Sequence, residues 1–316
     1  MSKILITGSC GFIFSNVVIY LLQHNIMDDI VSIDKLTYAG SLLNVPQNKR
    51  HKLYIGDICN YDFVKQIFEI EKPDIVIHAA AESHVDNSIA GSAVFVNTNV
   101  VGTHSMLEAA LKVHTPQKFI NISTDEVYGS VEQGHSTEND QLKPRSPYSS
   151  TKAAADLLGQ SYFTTYGLPV ITTRCSNNFG PRQHVEKFIP KAITNVLKGI
   201  KIPLYGSGTN KREWIYVKDN FYALQTIIEK GVAGEVYNIS SGCEKENIEV
   251  LKLLLEIMNA DESFIEYVKD RPGHDLRYSV DCTKLQALGW KPEYTFEEAL
   301  AHTIGWYKSN PWSWRK

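Results

Sequence analysis

The chain lacks a strong charge of either sign: its 316 residues carry a formal net charge of −3 with the two signs interspersed. That balance leaves no electrostatic footprint for nucleic acid, and the basic cluster Lys49-Arg50-His51-Lys52 reads as a solvated loop. Five cysteines (Cys10, Cys59, Cys175, Cys243, Cys282) occur without a C-x-x-C pair, which argues against a zinc site or a disulfide framework and for reduced thiols. Long apolar runs are also missing. The stretch from Phe12 to Leu22 is too short to span a bilayer and is interrupted by Ser15 and Asn16, and the N-terminus has no signal-peptide pattern. No membrane partner and a cytoplasmic location are therefore expected.

What is present is a 43% hydrophobic composition with no low-complexity segment and no internal repeat, enough for a large core. Short β-rich runs at Ile4–Thr7, Ile30–Asp34, Leu53–Gly56, Ile75–Ala79, Phe119–Ser123 and Val170–Thr173 alternate with helix-period segments at Asp62–Ile70, Ala93–Val113 and Tyr148–Tyr166. This alternation predicts an α/β, Rossmann-type doubly wound parallel sheet, with a smaller C-terminal α/β substrate-binding domain. We expect residues 1–180 to form the dinucleotide-binding domain, with later segments returning at roughly 215–240, and 181–316 to form mainly the substrate domain. In that second part Val236–Ile239 reads as a strand, Ile248–Met258 and Phe296–Lys308 as helices, and Pro272-Gly273 as a loop.

Gly8-Ser-Cys-Gly11 lies between the first strand and the first helix, where glycines admit a pyrophosphate and the N–H groups of the following residues, Phe12 and Ile13, point toward it. Asp34 ends the second strand at the usual distance for an acid that bonds the adenosine ribose and repels a 2′-phosphate, favouring NAD over NADP. A structural turn alone would not need that acid. Phe14 stands where a third small residue usually packs helix on strand, so either the helix shifts or Phe14 finds a pocket.

Tyr148 and Lys152 are spaced i, i+4, hence on one helical face, and a lysine ammonium near a phenol would lower the tyrosine pKa from ~10 toward neutrality. Ser146 as cap, Pro147 at the first position and Gly167 at the end bracket that helix. Just upstream, Ser123-Thr124-Asp125-Glu126-Val127-Tyr128 adds two adjacent carboxyl groups that hydride transfer alone does not require. His78 and His84, without an accompanying carboxylate or cysteine cluster, read as packed or hydrogen-bonded residues, and no metal is expected.

Through Thr7-Gly8-x-x-Gly11, Asp57-Ile58, His78-Ala79-Ala80-Ala81, Tyr148-x-x-x-Lys152 and Asn177-Asn178-Phe179-Gly180-Pro181 the chain resembles the extended short-chain dehydrogenase/reductase superfamily along nearly its whole length. Within it, Asp34-Lys-Leu-Thr-Tyr-Ala-Gly40, Ala81-Glu-Ser-His-Val-Asp86, Thr124-Asp125-Glu126 and Asp270-Arg-Pro-Gly-His-Asp275 are similar to the nucleoside-diphosphate-glucose 4,6-dehydratases. The resemblance implies NAD as cofactor, held by Gly8, Gly11, Phe12, Ile13, Asp34, Lys35, Thr37, Gly40, Asp57, Ile58, Ala79, Ala80, Ala81, Ser83, Thr98, Tyr148, Lys152 and Asn178. It implies a nucleotide sugar, dTDP-glucose or UDP-glucose, held by Ser83, His84, Thr124, Asn177, Lys187, Tyr205, Arg212, Asn247, Arg271 and His274.

The implied reaction oxidises the sugar at C4 with Tyr148 as base and Thr124 on the C4 oxygen, removes the C5 proton with Glu126, and protonates the leaving C6 hydroxyl with Asp125. The product is a 4-keto-6-deoxy sugar, which the resemblance places in deoxysugar biosynthesis of the rhamnose type. Relatives are commonly homodimers joined by two helices per subunit, for which 93–113 and 148–166 are the candidates. A 4-epimerase would share Tyr148 and Lys152 but not the acid pair, a UDP-glucuronate decarboxylase would lack Asp125, and a non-catalytic NAD-binding scaffold would need none of the four. The nucleobase is left open between thymine and uracil.

Overall fold

The structure, a computed structural model, describes residues 2–27, 29–269 and 277–314. A seven-stranded sheet runs in the order β10-β6-β5-β4-β1-β2-β3, with every pairing parallel. Its strands are β1 (Lys3–Thr7), β2 (Asp29–Asp34), β3 (His51–Ile55), β4 (Ile75–His78), β5 (Lys118–Thr124), β6 (Val170–Cys175) and the returning β10 (Val236–Ile239). Side chains alternate across a strand, so Ile4 and Ile6 of β1 join one core while Leu5 joins the other, as do Ile120 against Phe119 and Ile171 against Val170. Helices α1 (Phe12–His24) and α8 (Val217–Lys230) cover the first face; α2 (Tyr61–Glu71), α5 (Thr103–Lys112) and α6 (Pro147–Tyr166) cover the second.

Phe14 answers the question the missing third small residue raised. It is buried in the first core with Ile4, Ile6 and Val17, so the bulk is housed in a pocket between helix and sheet. The capping of α6 is reciprocal: Ser146 accepts from the Ser149 N–H and Ser149 returns a bond to the Ser146 N–H, each at 3.0 Å, while Gly167 closes the helix at φ +71°.

Two expectations need correction. The strand expected at Leu53–Gly56 is β3 at His51–Ile55; it sits at the sheet edge, half exposed, where a one-sided pattern marks its limits poorly. The single helix expected over 93–113 is instead a short α4 (Ala93–Phe95), a π segment (Val96–Gly102) and then α5. Gly102 closes the π segment against Ile58, whose Cδ1 would lie 2.5 Å from an added Cβ. Wide turns of this kind are frequent at functional sites.

Between the sheet segments the chain builds a second unit. A three-stranded sheet orders β11 (Glu244–Glu246), β9 (Lys211–Tyr216) and β7 (Asn177–Phe179), and β8 (Ile202–Tyr205) pairs with β12 (Ile265–Val268). With α7 (Phe188–Lys198), α9 (Asn247–Met258) and α11 (Phe296–Ser309) they enclose a separate apolar core. Cys282, Leu285 and Trp290, around α10 (Thr283–Ala287), pack back into the first core, a second return that the sequence did not suggest. A short α3 (Val85–Ala90) borders the cleft between the units. The motif from Asp270 to Asp275, with Arg271, His274 and the Pro272-Gly273 turn, lies outside the described residues.

Candidate active site

Strand order reverses between β1 and β4, and ligands of doubly wound sheets bind beyond the carboxyl ends at such a point. A cavity of about 640 Å³ opens there and runs on to the second unit. Every described residue expected in the site, from Gly8 through Asn247, lines this one cavity.

Where the cavity meets the glycine turn, Gly8 has φ +73°, and a Cβ there would sit 2.9 Å from Ala80 Cα. Glycine is thus required both for the turn and for the approach of the β4 end. Thr7 Oγ1 completes the joint by accepting from the Ala79 and Ala80 N–H groups, each at 2.9 Å. Gly11 caps α1 with no side chain to satisfy the first-turn N–H groups, which leaves them for an anion. Asp34 already accepts from Cys10 N at 2.8 Å and Leu36 N at 2.7 Å, which fixes its carboxylate and leaves lone pairs for a diol. Lys35 pairs with Asp57 at 2.6 Å beside it. These features fit NAD.

His78 bonds Thr7 and Thr103 through its two nitrogens at 3.0 and 2.9 Å, and burial takes its pKa down to about 3. It is a neutral structural histidine. Among the described residues no cluster of His, Cys, Asp and Glu could hold a metal ion.

Elsewhere along the cavity Thr124 closes β5 and caps the 3-10 turn Asp125–Tyr128, accepting from Glu126 N at 3.3 Å and donating to Asp125 Oδ1 at 3.1 Å. Asp125 is 3% exposed, and its Oδ2 has no hydrogen-bond partner. Burial, reinforced by the carboxylates of Glu126 and Glu213, pushes its pKa well above the usual range against the pull of Thr124 and Arg212. The pair is therefore unequal: the buried Asp125 is shifted toward its protonated form beside a less buried Glu126.

The tyrosine–lysine pair differs from expectation. Lys152 donates to the Ile122 carbonyl oxygen at 2.5 Å, and burial lowers its pKa to about 8. Tyr148 is raised well above 10, by burial and then by the charge of Glu126, with only Thr124 bonding in the opposite sense. An i, i+4 spacing puts both side chains in one place, but in this state it does not create a phenolate.

Toward the second unit Arg212 is buried, its guanidinium 4.6 Å from the ring of Tyr278, and Lys187 donates to the Ser83 carbonyl at 3.3 Å. Tyr205 stands exposed at the rim, and Asn247 begins α9. Three features of the site were missed. Asn99, in the π segment, clamps Glu82 by both backbone groups (2.8 and 3.0 Å) and donates to Thr151 beside Lys152 at 2.9 Å. Tyr38 reaches across the cleft to Glu186 at 3.0 Å, and Cys175 lines the cavity floor. Asn99 had a signal: a polar side chain recurring in the apolar stretch Val96-Asn-Thr-Asn-Val100 must find partners inside.

The family model described as GDP-mannose 4,6 dehydratase matches residues 5–303. The chain is 49% identical over 307 residues to the low-salt glycan biosynthesis protein Agl12 of Haloferax volcanii, covering 96% of this chain and 98% of that protein. It is 46% identical to the dTDP-glucose 4,6-dehydratase of Haemophilus influenzae over 98% of this chain and 99% of that one. The crystal structure of DesIV, a dTDP-glucose 4,6-dehydratase from Streptomyces venezuelae with NAD bound, superposes with a TM-score of 0.95 at 42% identity, covering 98% of each chain.

Proposed function

The chain belongs to the GDP-mannose 4,6 dehydratase family, and on that premise we propose that it is an NAD-dependent dehydratase converting dTDP-glucose to its 4-keto-6-deoxy derivative. The observation that carries this reading is the buried Asp125 next to the less buried Glu126, in one cavity with Tyr148 and Lys152, with burial shifting the Asp125 carboxyl toward its acid form. Oxidation or epimerisation needs no such acid. Among the family's substrates, dTDP-glucose is favoured over UDP-glucose because the relatives matching over nearly the whole chain include several dTDP-glucose enzymes.

Bound NAD supplies the acceptor for hydride from C4 and its return to C6. Tyr148 takes the C4 hydroxyl proton while Thr124 bonds the same oxygen, and the Lys152 ammonium is the chain's own cation for stabilising the phenolate. The 4-ketone acidifies C5, so Glu126 removes that proton. Asp125 gives its proton to the departing C6 hydroxyl, which leaves as water, and Glu126 then returns its proton to C5 as C6 is reduced. Glu126 ends unchanged, whereas Tyr148 has gained one proton and Asp125 has lost one, so transfer of a proton from Tyr148 to Asp125 by way of solvent resets the protein, and the sugar has lost one water.

His84, Asn177, Lys187, Tyr205, Arg212 and Asn247 are assigned to the nucleotide diphosphate, with Arg212 the fork that suits phosphate oxygens. No helix among the described residues is long and apolar enough to cross a membrane, and the free thiols agree with a cytoplasmic setting. A homodimer through the helical stretches 93–112 and 147–166 is supported by exposed Val94, Val96, Val101, Leu157 and Tyr166; light scattering reads it directly.

Incubation with dTDP-glucose and UDP-glucose in parallel, followed by mass spectrometry, is the test. Loss of one water from dTDP-glucose, at a rate about tenfold or more above UDP-glucose, is the expected result. Recovery of unchanged or epimerised sugar overturns the proposal.

A further inference from the structure

Beneath the cavity floor lies a buried network that the chemistry above does not use. Arg174 of β6 donates to both oxygens of Asp156 (2.7 and 3.1 Å) and to the Tyr128 hydroxyl at 2.7 Å. Its guanidinium also lies 4.9 Å from the Tyr128 ring centre and bonds the Glu138 carbonyl. The Tyr128 hydroxyl donates to Asn238 Oδ1 of β10 at 2.8 Å, and the Asn238 N–H donates to the Glu138 carboxylate at 2.9 Å. Asp156 and Asn238 are fully buried, Arg174 and Tyr128 nearly so, and none of the four lines the cavity.

Their positions in the chain give the network its meaning. Asp156 is one helical turn past Lys152 on the helix that carries Tyr148, and Tyr128 ends the 3-10 turn that begins with Asp125 and Glu126. Arg174 thus bonds at once to the element carrying the oxidation pair and to the element carrying the elimination pair. A buried ion pair seldom adds net stability over an apolar substitute, so its presence calls for another account. Positioning supplies one, since displacements of about 1 Å cost catalysis on the order of 100-fold.

We propose that Arg174 and Tyr128 are positioning residues that hold the Asp125–Glu126 turn in register with Tyr148 and Lys152, so that the sugar oxidised by one pair is aligned for elimination by the other. This rests on the dehydratase reading.

The test compares Tyr128→Phe, which keeps the ring and removes only the hydroxyl, with Arg174→Lys, which keeps the charge and removes the fork. With dTDP-glucose, reduced-nicotinamide absorbance in the first turnover should stay within about twofold of the parent, while keto-sugar release falls about 10- to 100-fold. Amide exchange without substrate should accelerate at Glu126 and Gly129 but not across Tyr148–Lys152. Equal loss of both steps, unchanged product release or unchanged exchange at the turn overturns the proposal. The exchange comparison needs no turnover, so it judges the network separately; absence of keto-sugar from the parent would overturn the dehydratase reading instead.

Discussion

The ammonium of Lys152 donates to the backbone carbonyl of Ile122 at 2.5 Å and leaves the phenol of Tyr148, one turn back on the same helix, bonded to Thr124. Burial lowers Lys152 to about 8 against the opposing charges of Cys175 and Asp156. Its cation is therefore present below that pH and lost above it.

From this we expect kcat/KM to fall as pH rises through about 8. Lys152→Met should remove that limb together with most of the rate, and Tyr148→Phe should slow sugar-dependent nicotinamide reduction about 10²- to 10⁴-fold. The stability effect has the opposite sign. A lysine whose folded pKa is below its ordinary value of 10.5 penalises the fold while protonated, and the penalty is relieved between about 8 and 10.5. Lys152→Met should melt above the parent at pH 7, and calorimetry should find the gap narrowing in alkali.

Glu126→Gln should permit C4 oxidation, visible as nicotinamide absorbance, and block loss of water. Asp125→Asn keeps the shape but has no acidic proton to give, so elimination should slow about 10²-fold or more while the first hydride step persists. Burial first, and then Glu126 and Glu213, raise the Asp125 pKa, which favours the protonated form that the proposed acid needs. A Glu126→Gln protein that forms product at the parental rate would remove that residue from its role.

Gly8→Ala places a Cβ 2.9 Å from Ala80 Cα at a φ of +73°. Strain of this sort costs about 1–3 kcal/mol, and displacement of the turn should weaken NAD binding about tenfold or more by calorimetric titration. A Gly11→Ala control, whose nearest neighbour would be Gly8 O at 3.3 Å, should lose less.

Glu71 tests an electrostatic joint outside the site. Burial would raise it, but bonds from Lys52 (2.6 Å), Tyr54 (2.6 Å) and Lys3 (2.9 Å) outweigh burial and bring it down to about 2. A depressed carboxylate contributes stability above pH ~4.5 that is lost as pH falls toward ~2, here on the order of 2 kcal/mol. Glu71→Gln should flatten the acid limb of the urea midpoint across that window and lower the midpoint at pH 7.

Features set by neighbours along the chain were legible before any coordinates. Ser146, Pro147 and Gly167 bracketed α6 because capping is a matter of adjacent residues, and the strand–glycine–helix order at Thr7–Phe14 was readable for the same reason. The return of Cys282, Leu285 and Trp290 to the first core was not legible, since apolar residues do not state which core they join. Nor was the π segment Val96–Gly102, whose last residue packs against Ile58 from a part of the chain far away in sequence.

By itself the sequence determined the order of the elements, the glycine turn, Asp34 at its strand end, and the spacing that puts Tyr148 with Lys152 and Asp125 with Glu126, because periodicity and turn chemistry act within a few residues. Only the tertiary structure decided protonation. Asp125 is shifted toward its protonated form first by its burial, then by adjacent Glu126 and by Glu213 of β9, and Lys152 donates to Ile122 because β5 packs against α6. Desolvation and Coulomb fields belong to neighbourhoods in space, and those neighbours come from segments far apart in the chain.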